Sequence, residues 1–235
     1  MNRNVVVITG GTGSLGTALA KRLAASGAAL AVTYLIPEEA EKFEAELHLD
    51  ETRLLLKRVD STSASSLNEF MNQAVAKFGS VNGLAALVGG WAGGRDIDET
   101  DDVRLERMLD LNLRSAFYAV RAITPHLKEN GSGRIVLVGS RGADDGPSGQ
   151  AAFNIAKAGV GALGRSAASE LSDFGITTNV VQPSVIDTPA TRRAVPFADY
   201  VSWPTPDEIA AVIEFLLSDA SSVMSGATLP VYGNT

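Results

Sequence analysis

The sequence predicts an α/β fold, a doubly wound parallel sheet of about seven strands with helices on both faces. Three observations predict it. Strand-like and helix-like segments alternate along all 235 residues, the pattern of strands joined by crossover helices. The strand-like runs are continuously apolar, as in strands buried on both faces. A glycine-rich turn joins the first strand to the first helix. No linker, repeat or low-complexity stretch interrupts this order, so residues 1–235 read as a single domain.

"VVVIT" at 5–9 is the first strand, and "LGTALAKRLAAS" after the turn has Leu15, Leu19 and Leu23 at helical spacing. "ALAVTY" is the second strand. "PEEAEKFEAEL" opens with proline and acids, as a helix start does. "RLLLKRV" and "SLNEFMNQAVAKF" repeat the pair, and "GLAALVG" is the fourth strand. A helix over roughly 101–129 then puts Leu105, Leu109, Asn112, Ala116, Val120, Ile123 and Leu127 on one stripe. "RIVLVGS" is the fifth strand and 150–173 the helix behind it. "ITTNVVQP" is the sixth strand, "PDEIAAVIEFLLS" a helix, and "ATLPVYG" reads as a last strand, although a proline is unfavourable within a strand. Residues 183–206 form the longest irregular stretch, of a length that is often functional.

Composition excludes several chemistries. With no cysteine in the chain, disulfides, thiolate metal sites and cysteine nucleophiles are ruled out. The two histidines, His48 and His126, lie far apart in charged segments, so no metal site is expected. A net charge of −7 is opposite to that of a nucleic-acid-binding surface. The apolar opening is too short for a signal peptide, and no segment reaches membrane-spanning length. A soluble, cytoplasmic protein acting on a small molecule is expected, with neither nucleic acid nor membrane as partner.

"TGGTGSLG" at 9–16 places Gly11, Gly13 and Gly16 in G-x-G-x-x-G spacing. Between a strand and a helix, such a turn lets backbone N–H groups approach a pyrophosphate at the positive end of the helix. A Rossmann-type site for NAD or NADP over Gly10, Gly11, Thr12, Gly13, Ser14, Leu15 and Gly16 follows. The choice of dinucleotide stays open. Tyr34 and Leu35 stand where an acid would hold the ribose of NAD, and neither this turn nor the glycine loop has an arginine for a ribose phosphate. Asp60, after the third strand, is placed either to bond the adenine amino group or to cap the next helix.

Four residues could carry chemistry. Ser140 ends the fifth strand, at the edge where ligands bind. Phe153 and Lys157, four apart, share a helix face. Asn112 is the polar member of an apolar stripe and needs partners if buried. Taken singly, each has a bland reading: a loop serine, a solvated lysine, an asparagine bonded to backbone.

Together with the glycine loop, these residues make the chain resemble the short-chain dehydrogenase/reductase family over essentially its whole length. The resemblance implies an NAD(P)-dependent oxidoreductase with Asn112, Ser140 and Lys157 at three of the four active-site positions. Phe153 takes the place of the tyrosine in the family's Y-x-x-x-K motif. "QPSVIDTP" resembles the family's P-G-x-x-x-T segment around the nicotinamide, so Pro183, Ser184, Val185, Ile186 and Thr188 are assigned to the cofactor, with Ser184 in the glycine's place. Val88, Gly89 and Gly90 are assigned likewise, although "ALVGGWAGG" replaces the usual N-N-A-G. Ser14 stands at the middle glycine of the family's loop. "GGTGSLG", "VGGWAGG" and the 187–206 segment are similar to those of one branch, the quinonoid dihydropteridine reductases, which keep the tyrosine and lack the serine. The family also implies a homotetramer, built through the long helices carrying Asn112 and Phe153 and through the last strand, whose outer side is left free.

In the family the tyrosine gives a proton to the substrate oxygen as hydride arrives, and the lysine lowers the phenol pKa from about 10. Phenylalanine removes that donor. The chain then reduces a small C=O or C=N group without a phenol, with Ser140, Arg141, Tyr200 or Lys157 through water as alternative donors. Otherwise it binds NAD(P) without chemistry, or it is a Tyr-to-Phe variant of an ordinary carbonyl reductase. Trp91, Arg141, Tyr200 and Trp203 are the candidate substrate contacts, with core packing as the competing role of the aromatic residues.

Overall fold

The structure is a computed structural model and describes residues 4–234. Seven parallel strands form one sheet in the order β3-β2-β1-β4-β5-β6-β7. They are β1 (Val5–Thr9), β2 (Ala29–Tyr34), β3 (Leu54–Arg58), β4 (Gly83–Ala86), β5 (Gly133–Val138), β6 (Ile176–Pro183) and β7 (Thr228–Val231). The strand order reverses between β1 and β4, which opens a crevice at their carboxyl ends.

Successive residues of a strand point to opposite faces, so both faces must be apolar. Val5 and Val7 enter one core with Leu67, Phe70, Ile123, Leu127 and Val160, residues of α3 (Ala64–Phe78), α5 (Ser115–Asn130) and α7 (Ala151–Leu171). Val6 and Ile8 enter the other with Leu19, Phe43, Ile209 and Ile213, from α1 (Ser14–Ala25), α2 (Pro37–Leu47) and α9 (Pro206–Leu216). The apolar runs in the sequence are the consequence of this two-sided burial. Pro230 lies in β7, which pairs with β6 alone, so its missing N–H disrupts no central ladder.

Two expectations need correction. The helix predicted over 101–129 is α4 (Asp102–Leu109), a wide π turn (Asp110–Arg114) and then α5. The Asn112 side chain donates from Nδ2 to Met108 O at 3.1 Å, the carbonyl a regular helix would give to the Asn112 backbone N–H. Such bulges recur at functional sites. The stretch 183–206 also holds more order than its composition indicated. Thr188 and Thr191 form a reciprocal capping box with Pro189 in the first turn of α8 (Pro189–Ala194), and one 3-10 turn follows at Tyr200–Ser202.

Candidate active site

The glycine loop is shaped by close backbone packing. Gly10 has φ +68°, and its N–H bonds Thr33 Oγ1 at 3.0 Å. A Cβ on Gly16 would lie 2.5 Å from Gly11 Cα and Gly11 O, so no side chain fits where the turn meets α1. Gly13 differs: only Gly10 O comes within 4 Å of its missing side chain, at 3.7 Å. Gly13 is also the N-cap of α1, with no side-chain hydrogen bond to the first turn. The helix therefore presents first-turn N–H groups, uncapped by any side chain, at its positive end, which suits a pyrophosphate.

The π turn brings Asn112 beside the loop after β4. Asn112 is 1% exposed; its Oδ1 accepts from Gly90 N at 3.1 Å and its Nδ2 donates to Gly90 O at 2.9 Å. Gly89 is wedged between this amide and Lys157, since a Cβ there would lie 2.9 Å from Asn112 Oδ1 and 3.2 Å from Lys157 Nζ. Asn112, Lys157, Gly89 and Gly90 thus form one cluster.

Lys157 is buried rather than solvated, and its Nζ donates to Val138 O at 2.9 Å. No carboxylate pairs with it among the described residues, and burial pushes its ammonium down to about 8. Nζ stands 6.0 Å from the centre of the Phe153 ring. That ring packs with Met108, Ala152, Ala92 and Leu105 in a small apolar cluster of its own. Its edge, Ser140 Oγ and Asn154 Oδ1 converge on Gly142, the first residue of α6 (Gly142–Asp145), at 3.8, 3.6 and 3.1 Å from where a side chain would begin. Ser140 Oγ accepts from Gly142 N at 3.2 Å, which leaves its own proton free to be donated outward.

Gln182 did not stand out in the sequence. Buried in β6, it donates to Ser140 O and to Asp144 Oδ2, both at 2.9 Å, and so holds the turn carrying the serine. A glutamine inside an otherwise buried strand was the signal available, because its amide must find partners.

The residues expected to contact substrate are held more loosely. Trp91 is 62% exposed, and its Nε1 donates to Gln150 Oε1 at 2.6 Å, so core packing is not its role. Tyr200 and Trp203 meet edge to face at 5.3 Å, and the Tyr200 hydroxyl donates to Arg192 O at 3.4 Å. Arg141 is held by Asp145 at 2.7 Å and lies 5.0 Å from the Tyr232 ring. Both acids of that turn are engaged, Asp144 by Gln182 and Asp145 by Arg141. Ser184 donates to Tyr232 O, and Ile186 O accepts from Thr191, so the 183–188 segment is pinned at both ends; Val185 between them is exposed. Tyr34 ends β2 half-buried. Asp60 is not the helix cap: its Oδ1 accepts from Thr62 N and Oγ1, while Ser63 caps α3. Among the described residues no group of histidines and carboxylates could hold a metal, and no helix is long and apolar enough to cross a membrane.

A family model for short chain dehydrogenases matches residues 4–198. The chain belongs to the short-chain dehydrogenase family. Over 236 residues it is 32% identical to a 3-oxoacyl-[acyl-carrier-protein] reductase, MabA, of Mycobacterium tuberculosis, covering 97% of this chain and 91% of that protein. Cis-4-hydroxycyclohexanecarboxylate dehydrogenase of Sinomonas cyclohexanicum is 34% identical over 237 residues, covering 97% and 95%. Among solved structures, NAD+-bound xylitol dehydrogenase superposes with a TM-score of 0.91 at 27% identity over 98% of both chains. A short-chain dehydrogenase/reductase of Serratia marcescens gives 0.90 at 31%, covering 98% and 97%. As a short-chain dehydrogenase the chain is an oxidoreductase, and members of the family bind NAD or NADP.

Proposed function

We propose that this chain is an NAD(P)-dependent reductase that passes hydride to a small C=O or C=N substrate without a phenol to donate the proton. The observation that carries this reading is Lys157, buried without a carboxylate beside Asn112 and one helical turn from Phe153. A buried ammonium is costly unless a ligand rewards it, and ribose hydroxyls would. Gly10–Gly16, Val88–Gly90 and Pro183–Thr188 would hold the dinucleotide, which supplies the hydride when bound. Asn112 fixes the loop at Gly90, Ser140 turns its hydroxyl proton to the substrate heteroatom, and the Phe153 ring keeps water from that side. A C=N group that has taken its proton from water before binding needs hydride alone, so it is the class such a site reduces fastest.

Turnover of a panel of iminium, quinonoid and ketone compounds with NADH and NADPH tests the reading. Iminium or quinonoid turnover is expected at least about a hundredfold above that of ketones, the lower bound of what a general acid contributes. Phe153 itself favours a second reading, a binder without chemistry, which predicts tight dinucleotide binding with no turnover of either class. We further propose a homotetramer. The groove of about 700 Å³ between α5 and α7, lined by Leu113, Phe117, Val120, Leu163 and Leu171, would be closed by a second copy. Light scattering at micromolar protein should give four times the chain mass, and a monomer mass rejects it.

A further inference from the structure

The end of β2 lacks the acid that normally holds the adenosine ribose, yet a carboxylate reaches the same loop from elsewhere. Glu39, in the first turn of α2, accepts a hydrogen bond at Oε2 from Thr12 Oγ1 at 3.1 Å. Thr12 lies within the glycine loop, 27 residues away in sequence. Thr12, Gly13, Ser14 and Glu39 line one cavity of about 500 Å³ between α1 and α2. The lysines facing that cavity are engaged by another acid: Lys21 and Lys42 lie 2.7 and 3.8 Å from Glu46. Arg58, on the neighbouring strand, donates from Nε to Leu35 O at 3.2 Å. Asp207, the remaining acid on the cavity, is bound to Arg22 at 2.7 Å. Among the described residues, Glu39 is thus the charged side chain hydrogen-bonded to the glycine loop itself.

Resting on the reading that a nicotinamide dinucleotide binds at the glycine loop, we propose that Glu39 recognises the adenosine ribose hydroxyls and selects NADH over NADPH. A carboxylate accepts hydrogen bonds from two vicinal hydroxyls. The 2′-phosphate of NADPH has no hydroxyl there to donate and brings negative charge against the carboxylate. Position at a helix N-terminus alone does not account for Glu39, because Glu38 shares that position without reaching the loop.

Titration of the intact protein with NADH and with NADPH, by calorimetry, decides the matter. The wild type should bind NADH about tenfold or more tighter, as expected for a charged hydrogen bond gained against a repulsion. Glu39→Gln should weaken NADH and bring the ratio to within about threefold, whereas Glu38→Gln should leave it unchanged. Glu39→Asp, which keeps the charge and shortens the reach, supplies a second variant should the amide fail to fold; it should keep NADPH weak while loosening NADH. Equal or tighter NADPH binding by the wild type, or an unchanged ratio in Glu39→Gln, overturns the assignment. Binding of neither dinucleotide would instead overturn the reading on which it rests.

Discussion

The two ends of the cleft along the carboxyl edge of the sheet are built from different materials. At the glycine loop, shape comes from backbone: Gly16 against Gly11, Gly10 against Val88, and an uncapped helix N-terminus. At the end proposed for substrate it comes from long side chains on loops, with Trp91 on Gln150, Tyr200 on Trp203 and Arg192 on Asp187. Large apolar groups there stay uncovered; Phe197 is 99% and Val201 91% exposed. Backbone packing cannot adjust to a substitution, whereas exposed side-chain contacts can. The difference teaches that one end has a fixed shape and the other a yielding one, which on the proposed function suits an invariant dinucleotide and a replaceable substrate. Lys157 and Phe153 stand between them.

The largest effect should come from disturbing the backbone-built end. Gly16→Val places its Cβ 2.5 Å from Gly11 backbone, and over-packing of that kind costs about 1–3 kcal/mol. The turn must open, so dinucleotide binding should vanish at millimolar ligand by calorimetry. The melting temperature should fall by about 2–12 °C, given about 2–4 °C per kcal/mol in domains of this size. Retained tight binding would show that this end adapts as readily as the other.

Next is the missing phenol. Phe153→Tyr should raise ketone reduction about 10²- to 10⁴-fold, the usual contribution of a placed general acid. Lys157 lies 6.0 Å from the ring centre, ready to lower the new phenol pKa. Iminium turnover should change little on the same substitution. No gain with any ketone, while cofactor still binds, would mean that the site differs in more than one hydroxyl.

A third test uses the lysine between the two ends. Burial lowers its pKa from 10.5 to about 8. Between those values the unfolded chain binds more protons than the folded one, so this group's contribution to stability rises with pH. Below pH 8 the folded protein carries the full burden, about 3 kcal/mol for a shift of this size. Lys157→Met should therefore melt higher than wild type at pH 7 without ligand, and the gap should close as pH rises from 8 to 10.5. Differential scanning fluorimetry across that range checks it. A gap independent of pH would mean that Lys157 is not a buried charge.

Legibility followed the same division. β1, β2, β6 and α2 lie where the sequence places them, because two-sided burial and a Pro37 start are local signals. The glycine spacing is local too, whereas Lys157 taken singly reads as solvated and its burial against Val138 O shows only in the fold. The interruption of the 101–129 helix was not readable either: a π turn depends on Asn112 reaching Gly90, 22 residues away. Of the two roles open to Asp60, the structure removes the helix cap, because Thr62 takes its carboxylate and Ser63 caps α3. Gln182, Gln150 and Glu39 act through partners 27 to 59 residues distant, and no spacing rule reports such contacts.

The smallest expected effect lies at the side-chain-built end. Trp91 Nε1 bonds Gln150 Oε1 at 2.6 Å, tying the loop after β4 to the residue that opens α7, two turns ahead of Lys157. The contact is exposed, so water competes for both partners and the net stabilisation is about 0.5–1.5 kcal/mol. Trp91→Phe keeps an aromatic wall and deletes only the N–H. Substrate KM should rise by about two- to tenfold, since 1.4 kcal/mol corresponds to tenfold. The constant kcat should stay near its wild-type value, because neither Lys157 nor Ser140 touches the tie. Dinucleotide affinity should also hold, because Asn112 fixes Gly90 independently through its two bonds. A fall in kcat or in dinucleotide affinity would show that the two ends are mechanically coupled through Gly90–Trp91, and the contrast between a rigid end and a yielding one would fail.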